Sequence, residues 1–543
     1  MITLVAIAGL YLLYKLACFL RFYLIGRRTG FPLYIVPIFS QSPVWKVLGP
    51  IYQPVFRRHL PEWIANRLDV VTHGWDFRLK NILHEQLGSV FAVVSPDECT
   101  LWIADPTIAS TVLQRRQDFV QPQVVADVLG FFGDHIFAAN GETWQRHRKI
   151  IAPHLNETVM ETVWKETRQQ ADAMVQYLTE HPESETLNGL RSIAINVLGE
   201  TGYGQNMPWS PDFAQRLDSS TDHVSGRLAY FQTIAMVTDR FIQAALIPGW
   251  MKTLPFMPRQ LQVLGRQMKR VPGYIQEILA EKKQNADKTR HSFLDMLAQF
   301  VDDNKTENQT TEKKLFLSQD EISGNLWIFT GAGFDTTANT MGYAVLLLAV
   351  YPEWQAWIRR DLEGLKNEEW KYNDVFPHCQ RIIALMLETL RIYTPVPHIS
   401  RCVVSRQTIV SSTGTHVLLP SLNVFVAGQS LHNDPAIWGD DVRRFNPARW
   451  INNETNTLIP PPKGAFLPWS GGPRVCPGMK MSQVEFVASI ATLFKTKRCE
   501  PVNGGTTLQE RQRILQAVME DSAPKLTLQV RDPTQVKLRW SDL

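Results

Sequence analysis

Ten consecutive residues, Trp469-Ser470-Gly471-Gly472-Pro473-Arg474-Val475-Cys476-Pro477-Gly478, set one cysteine in a turn rich in glycine and proline. The apolar positions that follow, Met479, Val484, Val487, Ile490, Ala491 and Phe494, recur with roughly helical spacing. Pro477 suits the first position of that helix, where its missing N–H forfeits no hydrogen bond. Cys476 is therefore expected beside a helix N-terminus, where the macrodipole favours the thiolate over the thiol. Gly471 and Gly472 clear its approach, so the backbone can lie close against something flat and bulky. A cysteine serving only as a small core hydrophobe needs neither the glycines nor the helix end.

The chain has 543 residues, 44% of them hydrophobic and 20% charged, enough to bury a large core and too apolar for disorder. No internal repeat and no long flexible linker divides it. One large domain over 61–543 is expected behind an anchor, 1–28, and a proline-containing membrane-proximal linker, 29–60, in which Pro32 and Pro37 favour an extended connection. A net charge of +4, with no Lys/Arg block interleaved with aromatics, argues against a nucleic-acid partner. The six cysteines, Cys18, Cys99, Cys379, Cys402, Cys476 and Cys499, lack CxxC or metal-knuckle spacing, so neither zinc nor a disulfide framework is implied.

Ile2 to Leu20 is apolar except for Thr3 and Lys15, about the twenty residues that span a bilayer. Lys15 lies towards the carboxyl end, from which it can snorkel to the side of Arg21, Arg27 and Arg28. Those arginines place the body in the cytosol by the positive-inside rule. A cleaved signal peptide fits less well, because no basic region precedes the apolar run and no small-residue cleavage site follows it. In a cytosolic body the sequons at Asn156, Asn304, Asn308 and Asn453 are chance matches.

Three further segments stand out. A long apolar helix is expected from Ser318, which has capping-box spacing with Glu321. Inside it lies Gly331-Ala332-Gly333-Phe334-Asp335-Thr336-Thr337, where glycines cost on the order of 1 kcal/mol each and an acid beside two threonines is out of place on so apolar a helix. Glu388 and Arg391 stand one helical turn apart, followed by Pro395-Val396-Pro397 and later by Phe445-Asn446-Pro447-Ala448-Arg449-Trp450. Trp144-Gln145-Arg146-His147-Arg148 opens another helix, with Trp144 and Arg148 on one face.

Together these segments resemble the cytochrome P-450 family, over roughly Gln86 to Glu500. The cysteine loop departs from the family pattern at Trp469, where Phe is usual; both are flat aromatics. The resemblance implies a mainly α fold with small β-sheets (α+β) behind a single N-terminal transmembrane helix, and Lys525 to Val530 fits the family's terminal hairpin. It implies haem b with Cys476 as axial iron ligand, Trp469, Gly472 and Gly478 shaping the loop, and Trp144, Arg148, Arg401 and Arg474 reaching the haem propionates. His147, in a basic run expected to be exposed, and His398 lack the glycine-lined approach of Cys476 and are not expected as ligands. Glu388, Arg391 and Arg449 are implied to hold the loop. Over a haem, the glycine turn of the long helix can open for dioxygen, with Asp335 and Thr336 managing protons.

The activity so implied is a monooxygenase of the fungal secondary-metabolism type, acting on a hydrophobic small molecule at the endoplasmic reticulum membrane. With no dinucleotide fingerprint or flavin domain here, electrons must come from NADPH through a separate reductase, with cytochrome b5 as an optional donor. Arg146, Lys149 and Lys480 are expected on the reductase-docking face. Val124 to Ala139, Phe231 to Met257, Val396 to Ile399 and the helix face around Phe329 and Ala332 are expected to line the substrate pocket, and Leu246 to Met251 to meet the membrane. Two other activities remain open: a haem-thiolate isomerase or synthase needing no reductase, and a haem sensor without turnover.

Overall fold

The computed structural model describes residues 2–38, 42–211, 226–284, 292–300, 316–365 and 370–543, so Asn304 and Asn308 lie outside the described residues. The chain forms two compact units, one of residues 1–122, 396–444 and 461–476, the other of residues 123–395, 445–460 and 477–543.

The first unit begins with helix α1 (Ile2–Thr29), whose last turn carries Arg27 and Arg28. Its stretch Gly9–Thr29 is long and apolar enough to cross a membrane. Towards its carboxyl end, Phe19, Phe22, Tyr23 and Ile25 pack on the core of the unit. Gly26 permits this approach, since a Cβ there would stand 3.1 Å from side-chain carbons of Leu33 and Val94. The Lys15 ammonium pairs with Asp97.

The stretch between Pro32 and Pro37, expected to be extended, is a strand, and a helix follows it. Residues Leu33–Ile35 form strand β1 and Pro43–His59 form helix α2, capped by Ser42. Strands β2 (Val90–Val94) and β3 (Cys99–Ile103) are buried at every position, as continuous apolar runs covered on both faces must be. With β4 (Phe119–Val120), β5 (Ile399–Val403) and β6 (Asn423–Val426) they complete a six-stranded sheet in the order β1-β2-β3-β6-β5-β4. The pairs β1/β2 and β3/β6 are parallel and the others antiparallel.

The second unit is helical. Its elements include α3 (Gly141–Ile151), α4 (Glu157–Glu180), α5 (Thr186–Tyr203), α6 (Gly226–Asp239), α7 (Gln319–Val350), α8 (Gln380–Ile392) and α9 (Met479–Thr496). Helix α7 starts at the expected capping box, with Ser318 and Glu321 each satisfying the other's backbone N–H. It is buried along most of its length, packing on α5 and α9. Asn156, one of the sequons, caps α4 by accepting from the Val159 N–H at 3.2 Å. The terminal hairpin pairs Ser522–Pro524 with Leu528–Val530, so Lys525 to Thr527 is its turn and not, as expected, part of a strand.

Candidate active site

The cysteine loop folds back on itself within the first unit. The Cys476 N–H donates to the Trp469 carbonyl at 2.9 Å, and the Ser470 N–H to the Leu467 carbonyl at 3.0 Å. Ser470 and Gly472 both take left-handed backbone conformations, φ 63° and 64°. At Gly472 only glycine fits, because a Cβ would lie 2.4 Å from the Leu113 carbonyl oxygen. The buried His432 supports the loop from beneath, its Nε2 accepting the Leu467 N–H at 2.9 Å. Cys476 is the one exposed cysteine of the six. Burial pushes the Cys99 and Cys379 thiols up to about 12 and so keeps them protonated and inert.

Pro477 does not open the following helix. Gly478 is the N-cap and Met479 the first helical residue, so Cys476 precedes the helix by three positions of sequence and Pro477 stands just before the cap.

Two of the proposed propionate partners, Arg401 and Arg474, also lie in the first unit. Arg401 is buried and donates from Nη1 to Gln121 Oε1 at 2.8 Å and to the Ser400 carbonyl at 2.7 Å. Burial lowers its pKa to about 10. Arg474 is likewise lowered to about 10, by burial first and then by the charges of Arg401 and Arg116. Like charges gathered away from water are stabilised by an anion, and the two carboxylates of a haem supply the matching charge. The exposed cysteine, the glycine cradle and the guanidinium cluster therefore fit haem.

The remaining positions belong to the second unit. On α3, Trp144 is buried and Arg148 half-buried one turn later. Their neighbours correct two expectations. His147 is fully buried, not exposed, with its Nε2 3.2 Å from a Glu321 carboxylate oxygen. Arg146 pairs with the same carboxylate and stacks over Phe316, so it serves the interior and not a docking face. His398, in the first unit, is engaged by Asp76 at 2.6 Å.

Helix α7 runs unbroken through Gly331 and Gly333. The two glycines make room for neighbours. A Cβ at Gly331 would meet the Trp327 ring at 3.0 Å, and one at Gly333 would meet Leu198 at 3.3 Å. The Thr336 hydroxyl donates to the Ala332 carbonyl at 2.8 Å. Asp335 is fully buried; its Oδ2 accepts from the Thr527 hydroxyl at 2.6 Å and its Oδ1 lies 3.3 Å from Arg191 Nη1. Burial raises its pKa, against the opposing pull of Arg191 and Thr527. Neither Arg191 nor Thr527 carries a sequence signal, since each lies far from the acid along the chain.

Glu388, Arg391 and Arg449 form the expected network. Arg391 binds both carboxylate oxygens at 2.9 Å and Arg449 Nε binds Oε1 at 3.0 Å. The sequence did not point to two further donors, the Trp450 indole at 2.9 Å and the Asn446 N–H at 3.0 Å. The Glu388 and Arg391 side chains are fully buried.

The chain also matches known proteins in sequence. A family model described as Cytochrome P-450 matches residues 64–528. The chain is 28% identical to the phomenoic acid biosynthesis cluster cytochrome P-450 monooxygenase of Leptosphaeria maculans, with 95% of each chain covered. It is 26% identical to the cytochrome P-450 monooxygenase prx9 of Penicillium rubens, over 90% of this chain and 89% of that protein. With the cytochrome P-450 monooxygenase 124 of Postia placenta the identity is 27%, over 89% of this chain and 91% of the relative. With its cysteine loop, its buried Glu388 network and a family match over most of its length, the chain belongs to the cytochrome P-450 family and is a monooxygenase of that family.

Proposed function

We propose that this monooxygenase inserts one oxygen atom from O2 into a hydrophobic small molecule in secondary-metabolite biosynthesis, using electrons from NADPH passed on by a separate reductase. The observation that carries the reading is Cys476: an exposed cysteine on a closed, glycine-lined loop, in the unit that also gathers Arg401 and Arg474. Cys476 would hold the iron of haem b, with Trp469, Gly472 and Gly478 shaping its loop, and Arg401, Arg474, Trp144 and Arg148 would hold the propionates. Bound there, the thiolate-ligated haem supplies the oxygen activation.

The chain's own residues do the rest. Asp335, buried and shared between Arg191 and Thr527, holds a proton-exchanging carboxyl one residue from the Thr336 hydroxyl. This pair favours a monooxygenase over an isomerase or a sensor, because only net reduction of O2 consumes protons. Secondary-metabolite chemistry is supported by the likeness to a biosynthesis-cluster enzyme. Helix α1, with Arg27 and Arg28 in its last turn, supports an anchor in the endoplasmic reticulum membrane and a cytosolic body. Lys149 and Lys480 remain the basic residues for reductase docking.

The test is spectroscopic and then kinetic. The reduced carbon monoxide complex of the wild type is expected to show the Soret band of thiolate-ligated haem, and Cys476→Ala to lose it. NADPH oxidation by the wild type is expected to require added reductase. A wild type without that band, or a variant that keeps it, overturns the assignment; reductase-independent turnover of a peroxide would establish the isomerase reading.

A further inference from the structure

Helices α3 and α7 and the segment between Leu129 and Ile136 meet in one buried knot. Glu321, in the first turn of α7, uses Oε2 to accept the Ser318 N–H at 2.9 Å. Its other oxygen takes the Arg146 guanidinium and lies 3.2 Å from His147 Nε2. His147 sets its Nδ1 3.4 Å from Asn325 Nδ2. This arrangement selects a tautomer: Nδ1 accepts from Asn325, and Nε2 carries its hydrogen towards Glu321. Burial holds the ring below its ordinary pKa, which keeps it in that neutral form.

Asn325 closes the circuit. Its Nδ2 also donates to the Glu321 carbonyl at 2.7 Å, and its Oδ1 accepts the Ile136 N–H at 3.0 Å. Two further bonds fasten the same segment to α7: Asp134 N–H to Asp320 Oδ2 at 3.1 Å, and Trp327 Nε1 to the Leu129 carbonyl at 2.8 Å. Backbones touch where side chains are missing. A Cβ at Gly324 would lie 2.3 Å from the Asp134 carbonyl oxygen, and one at Gly133 would lie 2.1 Å from that of Asp320. Phe131 and Phe132 flank Trp327, with ring centroids 5.7 and 5.5 Å away.

We propose that the Glu321–His147–Asn325 knot is a specificity-determining latch: it holds residues 129–136, part of the stretch expected to line the substrate pocket, against helix α7, so that bulky molecules pass only when it opens. What passes the latch rests on the monooxygenase reading above; the fastening of the segment does not. The three side chains are joined in series, His147 standing between Asn325 and the Glu321 carboxylate, so the loss of one loosens the closure.

His147→Phe keeps a ring of similar size and deletes its hydrogen bond to Asn325 and its pairing with Glu321. In the haem-loaded, full-length enzyme, peptides covering 129–136 should exchange amide hydrogen roughly 10-fold faster, the effect of one lost buried hydrogen bond. 1-Phenylimidazole, followed by its haem difference spectrum, should associate roughly 10-fold faster, while imidazole itself, small enough to pass the closed latch, changes less than about twofold. If His147→Phe fails to fold, Glu321→Gln retains an acceptor for the Ser318 N–H but removes the charge facing Arg146, and should move both readings in the same direction. Unchanged exchange over 129–136, or equal acceleration of the two azoles, overturns the latch. Failure of the haem-thiolate reading would appear separately, as a missing Soret band in the wild type.

Discussion

Arg191 on α5 lies between two carboxylates, its Nη2 2.6 Å from Asp239 at the end of α6 and its Nη1 3.3 Å from Asp335 on α7. Asp335 is thus a charge whose cost of burial is partly offset by one guanidinium held in common with a neighbouring helix. Burial already raises its pKa while Arg191 opposes the rise. Removing that opposition raises it further. Arg191→Gln is therefore expected to move the acid limb of the kcat profile to higher pH, with activity recovering in alkali. A profile left in place would remove Asp335 from the titrating groups of the reaction.

Thr336 donates its hydroxyl to the Ala332 carbonyl, a bond that turns the oxygen towards its own helix at rest. Its proposed role requires the hydroxyl to exchange that partner during turnover. Thr336→Ala should retain haem and consume NADPH at a similar rate, but divert more electrons to peroxide, cutting product per NADPH by roughly 100-fold, the low end of general acid–base contributions. The ratio of product to NADPH consumed is the measurement. Unchanged coupling would leave Thr336 with only its helix bond.

Local chemistry was legible in the sequence and long-range partnership was not. The capping box at Ser318, the turn at Gly471 and Gly472 and the pairing of Glu388 with Arg391 each depend on residues a few positions apart, so spacing alone announced them. Arg191, Thr527 and Trp450 reach their partners across the fold, and no local pattern marks a residue whose meaning comes from another element. Charge alone misled at Arg146, which read as solvent-seeking and instead meets Glu321. The glycines of α7 were noticed for the right reason, their helical cost, but their partners Trp327 and Leu198 emerge only when the helices pack.

Gly472 should be the least replaceable residue of the cysteine loop after Cys476 itself. Its φ of 64° and the Leu113 carbonyl 2.4 Å from the position of a Cβ exclude any side chain without a shift of the loop. Gly472→Ala is expected to cost about 1 to 2 kcal/mol in backbone strain alone. Because the shift moves the segment bearing Cys476, haem occupancy should fall more than the far-ultraviolet dichroism. Full haem loading with a normal carbon monoxide band would show that the loop accommodates the methyl.

Glu388 and Trp450 separate charge from hydrogen bonding within one network. Glu388→Ala leaves the Arg391 and Arg449 guanidiniums facing a buried gap, a loss of about 3 to 5 kcal/mol, and should give no haem-loaded protein. Trp450→Phe removes a single neutral donor and nearly preserves the packing, at about 1 to 2 kcal/mol, and should accumulate haem with a lowered melting temperature. Equal behaviour of the two variants would mean that the carboxylate is not the centre of the network.

Glu485 on α9 is buried with no charged partner to offset its desolvation, and its Oε1 has no hydrogen-bond partner among the described residues. Burial pushes its pKa up to about 8. The sign of the consequence is fixed. At pH 4 the carboxyl is protonated in both the folded and the unfolded chain and costs nothing. As pH rises above the ordinary glutamate value, the unfolded chain ionises while the folded chain stays neutral, so stability is lost progressively until the folded group itself ionises near pH 8. Across that window the penalty grows to at most about 5 kcal/mol. Glu485→Gln, of equal shape and without the charge, should therefore match the wild type in melting temperature near pH 4 and exceed it by a margin that widens up to pH 8. A difference that stays constant with pH, or that favours the wild type at pH 8, would show that Glu485 is ionised and paired in the folded protein.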